Sequence, residues 1–178
     1  TNKQKLNGFE LFTCSMPEEK LGGNYYDIIN TQDKDWIIIG DVSGHGIKSG
    51  LLMLMVQTAI RVVLANKPDL KPIDLVTSVN ELIGKNILIL NDEKYIKLTI
   101  LEIDKKNNNQ MSGFHHDVII NRKSSETVDL IKSNEALLGI SDDVKNFLEN
   151  DTFSLDNDDM MIIFSYGDSG LWDKNNIK

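Results

Sequence analysis

The sequence predicts an α+β fold, a layered sandwich of mostly antiparallel sheets with helices on the outside. Three observations lead to this prediction: short apolar or aromatic runs come first, two helical patterns follow, and strand-like runs return after them. Strands and helices do not alternate, as they would in a doubly wound parallel fold. At 178 residues with 40% hydrophobic residues, the chain suits one domain with a core, so we expect a single domain over residues 1–178.

The strand-like runs are short and are separated by glycines or polar turns. Strands are predicted at residues 9–14, 25–31 and 36–41 before the helices, and at residues 95–104, 110–113, 118–122, 128–131 and 160–166 after them. The run from Trp36 to Ile39 is apolar throughout, which indicates a strand covered on both faces.

Two helices are predicted between these groups of strands. Apolar residues recur at spacings of three and four over residues 47–66, which predicts an amphipathic helix, and Pro72 opens a second helical pattern that reaches about residue 89. We expect the two helices to pack together on one outer face. The longest apolar stretch, residues 50–65, is interrupted by polar side chains and is predicted to be too short to span a bilayer.

The net charge excludes some classes of binding partner, and the cysteine content indicates the redox compartment. The formal net charge of −8 opposes binding to nucleic acid or to an anionic membrane surface, so we expect neither, and it suits a metal ion or a basic partner. The one cysteine, Cys14, is predicted to be a small core side chain in a reducing compartment. Because the chain begins with Thr1, we expect a piece of a longer protein with a sensor domain upstream.

The most informative segment is Gly-Asp-Val-Ser-Gly-His-Gly at residues 40–46, where an apolar strand runs into a glycine-rich turn and a helix. A carboxylate at the strand end, that of Asp41, is placed for a hard divalent cation, and the Val42 carbonyl could be a further oxygen ligand. An alternative stays open, in which Asp41 and Ser43 only cap the helix. Nucleotide-binding loops are excluded, because the glycine and lysine spacing fits neither the Walker nor the dinucleotide pattern.

A second segment, Gly-Gly-Asn-Tyr-Tyr-Asp at residues 22–27, makes the pattern specific. Together the two segments resemble the paired motifs of the SpoIIE-like, or RsbU-like, branch of the PPM metal-dependent serine/threonine phosphatases. Weaker similarities follow in order at residues 112–115, 136–140 and 159–167, so the resemblance extends from about residue 8 to residue 173.

The resemblance implies an α-β-β-α sandwich of two mainly antiparallel sheets flanked by helices. It also implies two Mn²⁺ or Mg²⁺ ions between the sheets, which activate a water to attack a phosphoserine or phosphothreonine. By matching position, Asp41 is the bridging metal ligand and the catalytic carboxylate, Val42 gives a carbonyl ligand, and Gly44, His45 and Gly46 form the turn near the site. The implied setting is cytoplasmic bacterial signalling, with a phosphorylated regulatory protein of the anti-sigma-factor antagonist type as partner.

The sequence departs from the family at two ligand positions. Asn24 stands where the family has its first aspartate, and Tyr166 aligns with the aspartate of a Tyr-Thr-Asp-Gly motif. Asp168 or Asp27 are the candidate replacement ligands, and an alternative register instead puts Ser169 at the second position. We therefore expect one bound ion or none.

Three functional hypotheses follow from these substitutions: a weakened phosphatase, a pseudophosphatase that binds a phosphoprotein without turnover, and an active enzyme whose ligands lie beyond the ends of this chain. The adjacent His115 and His116 would point to opposite faces of a strand, so we interpret them as a polar hairpin end and not as a metal site.

Overall fold

The computed structural model of the chain describes residues 2–6, 8–14, 23–90, 94–113, 117–133, 137–141 and 143–164. The helices are α1 (Ile47–Asn66) and α2 (Pro72–Leu90), and a single 3-10 turn spans Val144–Phe147. The strands are β1 (Asn2–Leu6), β2 (Phe9–Thr13), β3 (Tyr25–Asn30), β4 (Lys34–Val42), β5 (Ile96–Asp104), β6 (Asn109–Gly113), β7 (Val118–Arg122), β8 (Thr127–Ile131), β9 (Asp151–Phe153) and β10 (Met160–Ile162).

A five-stranded sheet in the order β3-β4-β5-β6-β9 forms the centre of the fold, and every neighbouring pair in it is antiparallel. Strand β4 is covered on both sides, as predicted. Trp36 and Ile38 are fully buried and pack with the helices, whereas Ile37 packs in a second core on the other side. Because side chains alternate along a strand, this fixes a helix-facing side and an inter-sheet side for the whole sheet.

The two helices begin and end close to where the sequence predicts, and they pack together on the helix-facing side. Leu52, Val56 and Ile60 of α1 and Leu75 and Val79 of α2 share one core with β4 and β5. This arrangement confirms the prediction that both helices lie on one outer face.

The inter-sheet side packs against a second antiparallel sheet in the order β10-β7-β8. Val118 and Ile120 of β7 join Leu101 and Met111 of the five-stranded sheet in this second core, and Leu6 of the β1-β2 hairpin adds to it. The α+β sandwich of two antiparallel sheets is therefore confirmed. Within the described residues, α-helices cover one outer face of the sandwich.

Three expectations differ from the structure. Cys14 follows the end of β2 and is exposed, so it is not the core residue predicted from its apolar neighbours. Helix α1 is apolar on its outer side as well, where Leu51 and Leu54 are exposed, so it is not the amphipathic helix predicted. By length and composition alone, α1 would also suffice to cross a bilayer, contrary to the prediction of too short a stretch; its packing in the core accounts for part of this apolar character.

Candidate metal and phosphate site

Asp41 lies one residue before the end of β4, where the strand runs into the glycine-rich turn. It is separated from Ile37 by four residues, so both side chains are on the inter-sheet side, and the Asp41 side chain is half-buried there. This is the position that the sequence predicts for it: a strand end, directed between the sheets.

Asp41 has a neighbour on each adjacent strand. Tyr25 pairs with Gly40, and the Val42 N–H donates to the Gly23 carbonyl (3.2 Å), so the β3-β4 register continues and sets Asn24 opposite Asp41. On the other flank, Asp41 pairs with Lys97 of β5. Directly opposed residues share a sheet face, so Asn24, Asp41 and Lys97 form one cross-strand row on the inter-sheet side, here called the Asp41 row.

The turn after Asp41 is held in place by hydrogen bonds from two other segments. The Ser43 N–H donates to the Tyr95 carbonyl (2.9 Å), and the Tyr95 N–H donates to the Ser43 hydroxyl (2.9 Å). The Ser43 carbonyl accepts from the Ser49 hydroxyl (3.1 Å) and from the Lys94 ammonium (3.0 Å). The turn is therefore a fixed element between β4 and α1.

Glycines are required in this turn. Gly44 and Gly46 have φ values of 74° and 82°, which other residues rarely adopt, and a side chain on Gly44 would also meet the Lys94 ammonium. His45 between them is exposed, and its carbonyl faces the Ser49 hydroxyl at 3.4 Å. Its predicted structural role in the turn stays a prediction.

The alternative in which Asp41 and Ser43 only cap α1 is wrong. The N-cap residue of α1 is Gly46, and no side chain in the described part of the chain makes a capping hydrogen bond to it. The Ser43 hydroxyl accepts from the Tyr95 N–H instead. Capping of α1 therefore does not account for an aspartate at position 41.

The Val42 carbonyl oxygen lies against Gly23, which has no side chain. A Cβ atom added to Gly23 would collide with this carbonyl oxygen, so only glycine at position 23 fits against it, while the Val42 side chain is anchored in the core. One carboxylate and one carbonyl are hard oxygen ligands that suit a single divalent cation. Two ions need more carboxylates, and no group of three acidic, histidine or cysteine side chains suited to a metal occurs among the described residues. Among the described residues, Asp41 and the Val42 carbonyl are the donors at this position that suit such an ion.

Asp27, considered as a replacement ligand, lies on the opposite side of the sheet. It is three residues from Asn24 along β3 and so faces the helices. Its carboxylate accepts two hydrogen bonds from Arg61 of α1, at 2.9 Å from Nε and 2.7 Å from Nη2, and a third from the Tyr25 hydroxyl at 3.1 Å. This geometry does not favour Asp27 as a ligand near Asp41.

Asp27, Tyr25 and Arg61 form a cluster, in which burial and charge shift the pKa values of Tyr25 and Arg61. Burial raises the pKa of Tyr25, and the negative charge of Asp27 and its hydrogen bond add to that shift. The hydrogen bond and charge of Asp27 raise the pKa of Arg61. The cluster is a structural ion pair that joins α1 to β3.

Sequence reasoning does not assign roles to Arg61 and Lys97. Arg61 is the one charged residue of α1 after Lys48, and Lys97 is a charged residue in an apolar strand. A lone charge inside an apolar run is the available signal in both cases. Tyr166, Asp168, Ser169, His115 and His116 lie outside the described residues, and their predicted roles stay predictions.

Comparison with known proteins gives the family. The model of Stage II sporulation protein E (SpoIIE) matches residues 31–168, which is most of the chain. The chain belongs to the SpoIIE family. This family match includes Asp41, the turn and Lys97, whereas Gly23 and Asn24 come before its first residue.

Solved structures agree with this SpoIIE fold at low sequence identity. The RsbU and RsbW domains of a Mycobacterium tuberculosis protein match with a TM-score of 0.67 and 15% identity over 84% of this chain and 40% of that one. The SiaA-PP2C domain of Pseudomonas aeruginosa matches with a TM-score of 0.62 and 17% identity over 76% of this chain and 52% of that one. RsbX in complex with magnesium matches with a TM-score of 0.57 and 12% identity over 83% and 67%.

The chain spans about half the length, or less, of the first two of these structures. No curated protein sequence matches it. By family and fold it is a SpoIIE domain.

Proposed function

We propose that this domain is a SpoIIE-type protein serine/threonine phosphatase of bacterial signalling with a weakened metal site. Its substrate would be a phosphoserine or phosphothreonine on a small regulatory protein, of the anti-sigma-factor antagonist type, in the cytoplasm. The observation that carries the proposal is the position of Asp41, which lies at the end of β4 on the inter-sheet side beside a carbonyl and a fixed glycine turn.

The metal in this proposal is Mn²⁺ or Mg²⁺, held by Asp41 and the Val42 carbonyl. When bound, such an ion neutralises phosphate charge and makes its coordinated water a nucleophile at neutral pH. Magnesium in the related RsbX structure supports this choice of ion. The chain itself contributes orientation: the Ser43 and Tyr95 hydrogen bonds fix the backbone on which Asp41 and Val42 are placed.

Asn24 is the reason to propose a weak site. An amide in the Asp41 row keeps an oxygen ligand but loses the negative charge that a second carboxylate would add. Because the whole chain has a net charge of −8, an anionic phosphoprotein gains little from the protein without a bound cation. Metal occupancy would therefore control substrate binding as well as hydrolysis.

The same observation favours a second candidate function. With one carboxylate in the row, the domain could recognise a phosphoprotein or report a signal as a pseudophosphatase, without turnover. A sensor domain elsewhere in the full protein would fit either function.

The test is a Mn²⁺ titration by calorimetry together with a phosphatase assay, both on the full-length protein. With p-nitrophenyl phosphate and a phosphoserine peptide, we expect slow Mn²⁺-dependent hydrolysis that chelation and Asp41→Asn abolish. Hydrolysis that persists in Asp41→Asn would contradict the assigned role of Asp41. No hydrolysis by the natural sequence, but activity in the Asn24→Asp, Tyr166→Asp double variant, would establish the pseudophosphatase instead. Two tightly bound ions with brisk hydrolysis would refute the weakened site and direct attention to Asp168.

A further inference from the structure

Lys97 places a positive charge on the side of the sheet where the candidate site lies. Along β5, Leu98 and Ile100 pack in the core with the helices, whereas Leu101 packs in the core between the sheets. Because side chains alternate along a strand, Lys97 is on the inter-sheet side, directly opposite Asp41 of β4. In strands β3, β4 and β5, which the structure describes in full, it is the only basic residue on that side.

The core fixes the register that sets Lys97 in the Asp41 row. Strands β4 and β5 pair along their whole lengths, and both are apolar on both sides over most of that distance. A slip by one residue would turn the buried side chains of a strand to the opposite side of the sheet. The position of Lys97 is therefore set by the packing of the whole sheet and not by a local turn.

The Lys97 ammonium is available to a ligand. Among the residues that the structure describes, it has no hydrogen-bond or ion-pair partner, and neither kind of contact joins it to the carboxylate of Asp41. The Lys97 side chain is nevertheless half-buried, and a charge that is partly removed from water without a partner costs free energy. Lys94, three residues earlier, differs because its ammonium donates to the Ser43 carbonyl. An anionic ligand would offset this cost at Lys97.

A phosphate group is the anion that suits this position. The lysine ammonium is a compact charge with three donors, and charge-assisted hydrogen bonds to phosphate oxygens are among the strong ones in proteins. The domain as a whole opposes such a ligand, since its formal net charge is −8. A cation one strand away from Asp41 gives a phosphate group a local attraction in an otherwise acidic domain.

We propose that Lys97 is a phosphate-binding residue of this site, whose ammonium donates a hydrogen bond to an oxygen of the phosphoserine or phosphothreonine. The inference rests on the proposed function for the identity of the ligand, but not on its hydrolysis, so it applies to the phosphatase and to the pseudophosphatase alike. Asn24 lacks the charge that helps to hold a metal ion, and Lys97 supplies positive charge to the phosphate from the chain itself.

The experiment measures peptide binding by fluorescence anisotropy on the full-length protein at saturating Mg²⁺. The probe is a labelled peptide with the difluoromethylene phosphonate analogue of phosphoserine, which keeps the charged oxygens but is not hydrolysed. The same peptide with serine is the reference. Lys97→Met should weaken binding of the phosphonate peptide by about tenfold or more, because a hydrogen bond to a charged group is lost. Its affinity for the serine peptide should not change.

Three further variants separate the charge of Lys97 from general effects. Lys97→Arg keeps the charge and should retain most of the affinity for the phosphonate peptide. The matched control is Lys106→Met, which removes the same charge from an exposed lysine in the turn after β5 and should bind as the natural protein does. If circular dichroism shows that Lys97→Met does not fold, Lys97→Gln makes the same test.

The inference and the phosphatase proposal fail in different ways. Unchanged phosphonate affinity in the folded neutral variant, an equal loss in Lys106→Met, or a natural protein that binds both peptides alike would overturn the inference. The stem of Lys97 would then only cover apolar surface while its ammonium stays in water. A natural protein that binds the phosphonate peptide through Lys97 but hydrolyses no phosphoserine peptide would contradict only the phosphatase proposal.

Discussion

Strands β3 and β4 place one carboxylate on each side of the same sheet, and the two carboxylates differ in burial and in the side chains beside them. On the helix-facing side, Asp27 is buried and receives the two-pronged guanidinium of Arg61 and the hydroxyl of Tyr25. On the inter-sheet side, Asp41 is half-buried in a row with an amide and an ammonium.

The difference separates a carboxylate in a complete structural ion pair from one whose side chain is partly open to solvent. A buried carboxylate with a complete set of donors has no lone pairs to offer a ligand, and removing a donor leaves an unpaired charge. Asp41 has a half-buried side chain beside a turn that hydrogen bonds hold in place. The helix-facing side of the sheet therefore connects α1 to β3, and the inter-sheet side holds the carboxylate that we propose as a metal ligand.

The largest expected effect comes from breaking the helix-facing pair. Arg61→Met should lower the free energy of unfolding by about 2 to 3 kcal/mol, because Asp27 would stay buried without its cation; this is below the value for a fully buried pair, since the Arg61 side chain is 54% exposed to screening solvent. Urea denaturation followed by circular dichroism measures the change.

Asp41→Asn sharpens the comparison: without metal it should lower the free energy of unfolding by about 1 kcal/mol or less, which is less than for Arg61→Met, because Asp41 is half-buried whereas Asp27 is buried. Pairing Arg61→Met with Asp27→Asn should restore part of the loss, because the unpaired charge is then gone. Equal destabilisation by Arg61→Met and Asp41→Asn would contradict the distinction between the two sides.

Much of the fold could be predicted from the sequence, because apolar periodicity is a local signal. Helix α1 and the strands β4 and β7 occur within two residues of their predicted limits. Strands β1 and β9 are not predicted. The first is made almost wholly of polar residues and the second has three residues, so neither gives a pattern of period two.

The candidate site could be predicted only in part. Asp41 follows from an apolar strand that ends at a glycine turn, and the side occupied by Asp27 follows from its odd separation from Asn24. The pairing of Lys97 with Asp41 does not follow, because Lys97 lies 56 positions later and their proximity depends on a long-range register. The local pattern of apolar and polar residues does not determine the register between β4 and β5.

A smaller effect is expected from the hydroxyl that completes the Asp27 cluster. Tyr25→Phe removes one hydrogen bond to a carboxylate that keeps its Arg61 partner, so the free energy of unfolding should fall by about 1 kcal/mol. Tyr26→Phe is the matched control, because Tyr26 is exposed and should show no change. A loss as large as that of Arg61→Met would mean that the hydroxyl, and not the guanidinium, holds the carboxylate.

The smallest effect concerns a third carboxylate, Glu102, which lies on the helix-facing side but has a poorer set of donors than Asp27. Glu102 is opposite Trp36 and pairs with the Lys34 ammonium at 3.0 Å, yet its Oε2 has no hydrogen-bond partner among the residues that the structure describes. Burial raises the pKa of Glu102, and the hydrogen bond and charge of Lys34 lower it without cancelling the shift. The ionised form is thus disfavoured in the folded protein.

The sign of the pH dependence follows from that shift. A carboxyl whose pKa is raised by folding stabilises the fold while it is protonated, and this contribution is lost as the pH rises from the ordinary glutamate pKa through the raised one. Glu102→Gln should therefore be more stable than the natural protein at neutral pH, by about 1 kcal/mol or less, and the difference should shrink as the pH falls through this range. Urea denaturation at several pH values measures it. A variant that is less stable at neutral pH, with a deficit that shrinks towards acid, would show instead that the Lys34 pair outweighs burial and that Glu102 resembles Asp27.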